Sequence, residues 1–243
     1  MKYFTLLSLL TIIINSIIAQ DTIYLDANYD KIDDKKNAIY YQVLKYEDAN
    51  TMRASRSIYF MSGQLKMLKN YSNLKNQLLD GKYELYFDNG NINENIDYIN
   101  GMIDGQLLTY WPNGIAKRID KYKEGKLVEG KCFSRTGKDT TYFEYEIIPQ
   151  FPGGEGKSMN FLYSKMMYPA EARHNDIQGR VIIGFLVNED GSISDIKIVR
   201  GVHKSLDDES LRVIKLMPNW TPAQHDGEKI KSRYTIPITY KLE

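Results

Sequence analysis

A few places in this chain carry residue types that could do chemistry. Gly156-Lys157-Ser158 has the tail of a phosphate-cradling loop, in which the lysine reaches the phosphates and the hydroxyl holds magnesium. That loop needs a glycine five positions earlier, and Phe151 stands there, so no nucleotide site is expected. Asn188-Glu189-Asp190-Gly191 imitates part of a calcium loop. Leu186 occupies the place of its first carboxylate and Lys197 that of its bidentate glutamate, which leaves a hairpin turn. His174, His203 and His225 are scattered, with no i, i+4 pair to aim two imidazoles at one metal, and they read as solvated loop residues. Ser205, Asp207 and Asp208 beside His203 offer nucleophile and acid types, yet they stand where helix-capping residues belong. Without a convergent acid, base or metal set the chain is not expected to be an enzyme, to bind a metal or to carry a cofactor.

The remaining chemistry belongs to the main chain. From Lys231 to Leu242, Tyr234, Ile236, Ile238, Tyr240 and Leu242 alternate with Arg233, Thr235, Pro237, Thr239 and Lys241, the pattern of a strand with one packed and one wet face. Pro237 has no N–H to give to a ladder and confines the strand to a sheet edge with its nitrogen outward. The N–H and C=O of one residue point to the same side of a strand, and the sides alternate. Arg233, Thr235, Thr239 and Lys241 therefore offer vacant main-chain groups along that edge, a docking strip for an extended peptide.

Other elements must hold this strip. Pro169 suits the start of a short helix after Tyr168, ending before Gly179. Val181 to Val187 is apolar on both faces, as expected of a central strand covered on both sides. Asn188 to Gly191 turns the chain into a second strand, Ile193 to Arg200. Ser205 is placed to cap a helix carrying Leu211, Ile214 and Met217 on its buried stripe, and Pro218 stops it. Trp220 reads as a plug over the sheet. The expected fold is an α+β C-terminal domain, a three-stranded sheet with helices on one face.

These residues resemble the TonB C-terminal domain family of Gram-negative envelopes. The likeness spans about ninety residues and rests on Tyr168-Pro169 with its following alanines, Gly179-Arg180-Val181, the Asp190-Gly191 turn, Asp207, Leu211, Trp220-Thr221-Pro222-Ala223, Gly227 and Pro237. It implies a periplasmic protein that pairs a strand edge with a short peptide, the TonB box, of an outer-membrane TonB-dependent receptor. Carried over by position, the peptide-binding residues are Lys165, Tyr168, Pro169, Lys231, Arg233, Thr235, Pro237, Thr239 and Lys241. Enterobacterial members carry Gln-Pro just before the Tyr-Pro pair where this chain has Lys165-Met166, so partner choice is expected to differ. Inner-membrane proton-driven motor proteins are further partners implied by the family. A plain anchor helix with its histidine and a Pro-rich spacer are both missing from the pattern.

The 243 residues leave room for two modest domains. With 32 Lys+Arg against 31 Asp+Glu the net charge is +1, too balanced for nucleic-acid binding. Lys2, the apolar run Tyr3 to Ile18 and Ala19 have the form of a secretory signal, about sixteen apolar residues and short of the roughly twenty that span a bilayer. Residues 1–19 are read as a signal peptide cut after Ala19, with a short inner-membrane anchor over residues 3–18 as the alternative. The single Cys132 cannot form an internal disulfide and reads as a buried strand residue.

Between Ile58 and Tyr142 glycine turns recur at 63, 90, 114 and 137, two of them in Asn-Gly pairs between tyrosine-rich runs, as in stacked hairpins whose central turn residues both take positive φ. Asp80-Gly81, Asp104-Gly105 and Glu129-Gly130 are expected at the other end of each unit. The pattern resembles bacterial MORN-type repeats and implies an all-β, elongated sheet that serves as a scaffold. The organisation reads as a lead segment over 20–50, repeats over 51–145, a linker over 146–157 and the C-terminal domain over 158–243. Two functions compete: a TonB-like transport protein acting through its last strand, and an envelope adaptor binding protein partners through its repeats. Self-pairing of the open edge makes a homodimer a further expectation.

Overall fold

The computed structural model describes residues 22–47 and 52–242, so the expected signal or anchor over 1–19 lies outside the described residues. The chain divides into two units, residues 1–142 and 143–243.

The first unit is one antiparallel sheet. Its strands are β1 (Thr22–Leu25), β2 (Lys31–Ile32), β3 (Tyr40–Tyr46), β4 (Ala54–Phe60), β5 (Leu65–Asn73), β6 (Leu78–Tyr86), β7 (Ile92–Ile99), β8 (Met102–Tyr110), β9 (Ala116–Lys123), β10 (Lys126–Phe133) and β11 (Asp139–Thr140). Each strand from β3 to β11 lies beside its sequence neighbour, and β1 sits between β3 and β2. The lead segment, whose sequence predicts a strand from Ala38 to Tyr46 after a short disordered stretch, supplies β1 and β2 besides that strand, β3. Tyrosines fix their register: Tyr24 lies opposite Tyr41 and Tyr41 opposite Tyr59, the last two stacked at 5.1 Å. Such cross-strand aromatic pairs outweigh the Asp- and Lys-rich composition around them.

Turn geometry corrects two expectations. At Phe60, Phe87, Trp111 and Ser134 one bond pattern repeats: the glycine N–H returns to that residue's carbonyl, and its own N–H reaches the carbonyl four residues on. Only the glycines take positive φ, between 79° and 92°, so these are type I turns closed by a glycine bulge, the usual three-residue hairpin loop. Two-residue turns with both φ positive do occur, at Asn100-Gly101 and Glu124-Gly125, at the opposite ends of the strands. Gly81, Gly105 and Gly130, expected at those ends, lie inside β6, β8 and β10 instead. A Cβ on Gly105 would stand 2.8 Å from the Cβ of Asp97, whose carboxylate accepts the Gln106 N–H at 3.0 Å. Asn70 lies over Gly81 in the same way and donates to the Lys82 carbonyl at 2.7 Å. The in-strand glycines make room for a neighbouring strand's side chain at a bulge.

One face of this sheet is buried but not purely apolar. Ile58, Ile96 and Leu107 share it with Gln42, Glu94, Thr109, Arg118 and Asp120. Arg118 donates from Nη1 to Asp120 Oδ2 at 2.8 Å with both side chains fully buried, and the Tyr142 hydroxyl donates to the same oxygen at 3.2 Å. The Arg118 guanidinium also lies over the Tyr142 ring at 5.2 Å. Tyrosine suits such a core because its ring packs while its hydroxyl bonds. Cys132 is buried opposite Arg118.

The second unit runs β12 (Glu146–Ile147), α1 (Glu155–Lys165), α2 (Ala170–His174), β13 (Gly179–Val187), β14 (Ile193–Arg200), α3 (Lys204–Ile214), β15 (Ala223–His225), β16 (Glu228–Ile230) and β17 (Ser232–Tyr240). Its main sheet has the order β14-β13-β17, and a smaller one the order β12-β15-β16. The stretch expected as a linker therefore carries a strand and the first turn of α1. Asp226-Gly227, both at positive φ and flanked by paired residues, close a further hairpin, β15–β16.

Helix α3 crosses β13 and β14, and α1 and α2 pack on α3. Its cap is His203, whose Nδ1 accepts the Ser205 N–H at 3.3 Å, rather than Ser205 itself. His225 likewise is no loop residue; it lies in β15 with its ring 4.8 Å from Tyr145. Leu206, Val213 and Ile214 of α3 meet Val181, Ile183, Phe185, Ile236 and Ile238 in one core. Trp220, 4% exposed, closes the core against Phe151, Phe185 and Tyr234, as the sequence suggests.

Candidate functional site

Strand β17 pairs with β13 over nine residues without a register shift, from Ser232 opposite Val187 to Tyr240 opposite Gly179. On its other side it has no strand neighbour among the described residues. An antiparallel ladder alternates residues that exchange bonds with the partner and residues that face away. Pro237, opposite Ile182, cannot donate, and an unbroken ladder accommodates it in the outward class. Arg233, Thr235 and Thr239 share its parity and point their main-chain groups to the free side. The inward class continues past the strand, where the Leu242 N–H donates to Gln178 Oε1 at 2.9 Å. Among the described residues no hydrogen bond reaches the outward main chain of β17.

The side chains alternate as the sequence predicts. Ile236, Ile238 and Tyr240 are buried, and Arg233, Thr235, Pro237 and Thr239 are exposed. Burying each large inward side chain contributes about 1.5–3 kcal/mol, which fixes the register, because a one-residue slip would turn that set to water. Tyr240 is tied further, its hydroxyl 3.0 Å from Ser210 Oγ of α3. The expected double cover of β13 fails. Its inner face lies under the helices, while Ile182 and Leu186 stay half-buried on the outer face with Val199, 58% exposed, beside Gly184.

The other expected site residues fall in different places. Tyr168 packs edge-on to Tyr240 at 5.7 Å and donates its hydroxyl to the Ile177 carbonyl at 2.6 Å, so it supports the end of β17 from the inner side. Pro169 precedes α2 as its cap. Lys165 ends α1, its carbonyl held by Arg212 Nη2 at 2.8 Å, on α3 and not on the strip. Lys231 is the single residue between β16 and β17, and Lys241 follows β17.

Glu209 of α3 fastens the segment leading into Tyr168. Its carboxylate accepts the Met167 N–H at 2.7 Å and grips Arg212 through two contacts of 2.7 Å. Burial pushes this carboxyl up, but the Arg212 guanidinium and the Met167 N–H outweigh it and hold the group below its ordinary range. An acid whose folded pKa is depressed adds stability above its unfolded pKa and loses it as pH falls through the folded value. Glu209→Gln is therefore expected to cost about 1–2 kcal/mol at pH 7 and to flatten the acid limb of stability below the ordinary value of 4.5, as followed by thermal unfolding across pH.

Residues 164–242 match the family model of the Gram-negative bacterial TonB protein C-terminal. The TonB proteins of two Helicobacter pylori strains are each 33% identical to this chain over 88 residues, 36% of this chain and 30% of theirs. The chain thus spans under a third of the length of these curated relatives. Two solution structures of the Helicobacter pylori TonB C-terminal domain are 31% and 29% identical, cover 35% and 38% of this chain and 90% and 87% of their own, and superpose with a TM-score of 0.29. Among the described residues no helix is long and apolar enough to cross a membrane.

Proposed function

We propose that this is a TonB-like periplasmic protein that binds an extended peptide of an outer-membrane TonB-dependent receptor as a fourth strand on β17, in transport across the outer membrane. The observation that carries the reading is the free side of β17, with Pro237 facing it. The match of residues 164–242 to the TonB C-terminal family supports the choice of partner. Main-chain pairing supplies affinity, and the exposed Arg233, Thr235 and Thr239 tune sequence choice. Tyr168 acts from below, by fixing the end of the strip through Tyr240, and Lys165 and Pro169 hold the segment on either side of it. Coupling to an inner-membrane motor belongs to the same proposal.

The test exploits strand parity. Thr235→Pro and Thr239→Pro each remove one outward N–H and leave the β13 ladder whole, so both are expected to keep the native circular dichroism. Each is expected to weaken binding of labelled receptor peptides at least about tenfold in fluorescence anisotropy. Ile236→Pro, which deletes an inward bond, is expected to lose the fold. Unchanged affinity in both threonine variants refutes edge docking.

A second reading, an envelope adaptor acting through the first unit, draws on a hollow of about 470 Å³ lined by Ile119, Lys121, Glu129, Lys131 and Phe133, beside the exposed Val128. Pull-downs by a protein whose β17 is blocked by both proline substitutions separate it from the first.

A further inference from the structure

The outer face of the C-terminal sheet is strongly cationic. Arg180, Lys197, Arg200 and Arg233 are exposed on it, and Asp195 is the acid that answers them, 3.0 Å from Arg233 and 3.5 Å from Lys197. Arg180 and Arg200 make no ion pair with the described residues. Both line a groove of about 640 Å³ that reaches Thr239 of the edge strand, with Gly179 and Gly201 contributing no side chain to fill it. Register explains the convergence. Arg180 lies opposite Thr239, and Arg200 opposite Ile182, beyond a bulge at Val199 that shifts the end of β14.

This groove bears on any strand added along β17, and its role rests on that edge being the docking site. Strands lie about 4.8 Å apart, so an added strand would run roughly 10 Å from β13. The extended arginine side chain and a peptide glutamate side chain together span about that distance, and the small Thr239 between them leaves the path open. We propose that Arg180 and Arg200 read an acidic side chain of the docked peptide, an aspartate or glutamate facing the outer side next to Thr239. Arg180 makes the direct, fork-shaped contact, and Arg200 behind it raises the local positive potential. The partner class is then an extended peptide bearing a carboxylate, with register on the edge set by that charge, since main-chain bonds alone do not distinguish one sliding position from another.

The test uses the full chain and two labelled twelve-residue peptides of alternating threonine and valine, one with a single central glutamate and one with glutamine in its place. The glutamate peptide is expected to bind wild type about 5- to 10-fold more tightly at 0.05 M salt, with the ratio falling toward one near 0.5 M. In an Arg180→Gln, Arg200→Gln double variant the ratio is expected to be one even at low salt, while the glutamine peptide binds as it does to wild type. Equal binding of both peptides to wild type overturns charge reading and leaves edge docking standing. Binding of neither overturns edge docking and this inference with it. Binding of phosphatidylglycerol vesicles that the double variant abolishes, together with equal peptide affinities, assigns the face to a lipid surface and overturns the proposal.

Discussion

Asp120→Ala is expected to destabilise the N-terminal sheet by about 3–5 kcal/mol, because it strips the carboxylate from a fully buried guanidinium. Arg118 lies on the buried face between Thr109 of β8 and Cys132 of β10, with its side chain fully buried. Its charge was desolvated on folding, and Asp120 at 2.8 Å and the Tyr142 ring are among the groups that compensate it. The alanine also deletes the acceptor of the Tyr142 hydroxyl. A pair replacement, Arg118→Met with Asp120→Leu, is expected to cost less than the single change, since the guanidinium is then no longer left without its carboxylate. The fluorescence of Trp111 in a Trp220→Phe background follows unfolding of this unit by urea. A loss under about 1 kcal/mol for Asp120→Ala would show that water reaches the site.

Gly191→Ala is expected to cost the C-terminal unit about 3 kcal/mol or more, the second large effect. Gly191 sits at φ +84°, where a Cβ alone costs about 1–2 kcal/mol. Its added Cβ would stand 2.1 Å from the Trp220 carbonyl oxygen, a main-chain atom that cannot swing aside. Relief would require breaking the bond from the Trp220 N–H to the Gly191 carbonyl, 2.8 Å, and would draw the indole out of the core. The turn thus does more than join β13 to β14: it anchors the chain that carries Trp220 over the sheet. Trp220 emission in a Trp111→Phe background reads this directly. A shift in unfolding midpoint comparable to a surface substitution would contradict the account.

Much of the candidate site was legible in the sequence because strand chemistry is local. The alternation from Tyr234 to Leu242 states which side chains are buried, and the missing N–H of Pro237 states which side of the strand must be free. Neither needs knowledge of the neighbours. The turns were half legible. Glycine marked each one, yet whether the residue before it also takes positive φ depends on the loop length that cross-strand pairing imposes, so Asn-Gly at 89–90 and at 100–101 gives two different turns. The in-strand glycines were misplaced for a related reason: they answer a side chain on the adjacent strand, which spacing along the chain does not display. His203 displaced Ser205 as the cap because α3 starts at Lys204, two residues earlier than a cap at Ser205 implies.

The sequence by itself determined the alternation of β17, its edge character and the aromatic plug, since each follows from one residue's covalent geometry or one segment's period. Tertiary structure alone decided that Arg118 and Asp120 would meet with their side chains buried, and that the outer face of β13 would stay open. It also brought Arg180, on one strand, and Arg200, on another, to a common groove beside Thr239. Such convergence is a property of register between strands, and register is fixed only when the buried faces of all three strands close on the same helices.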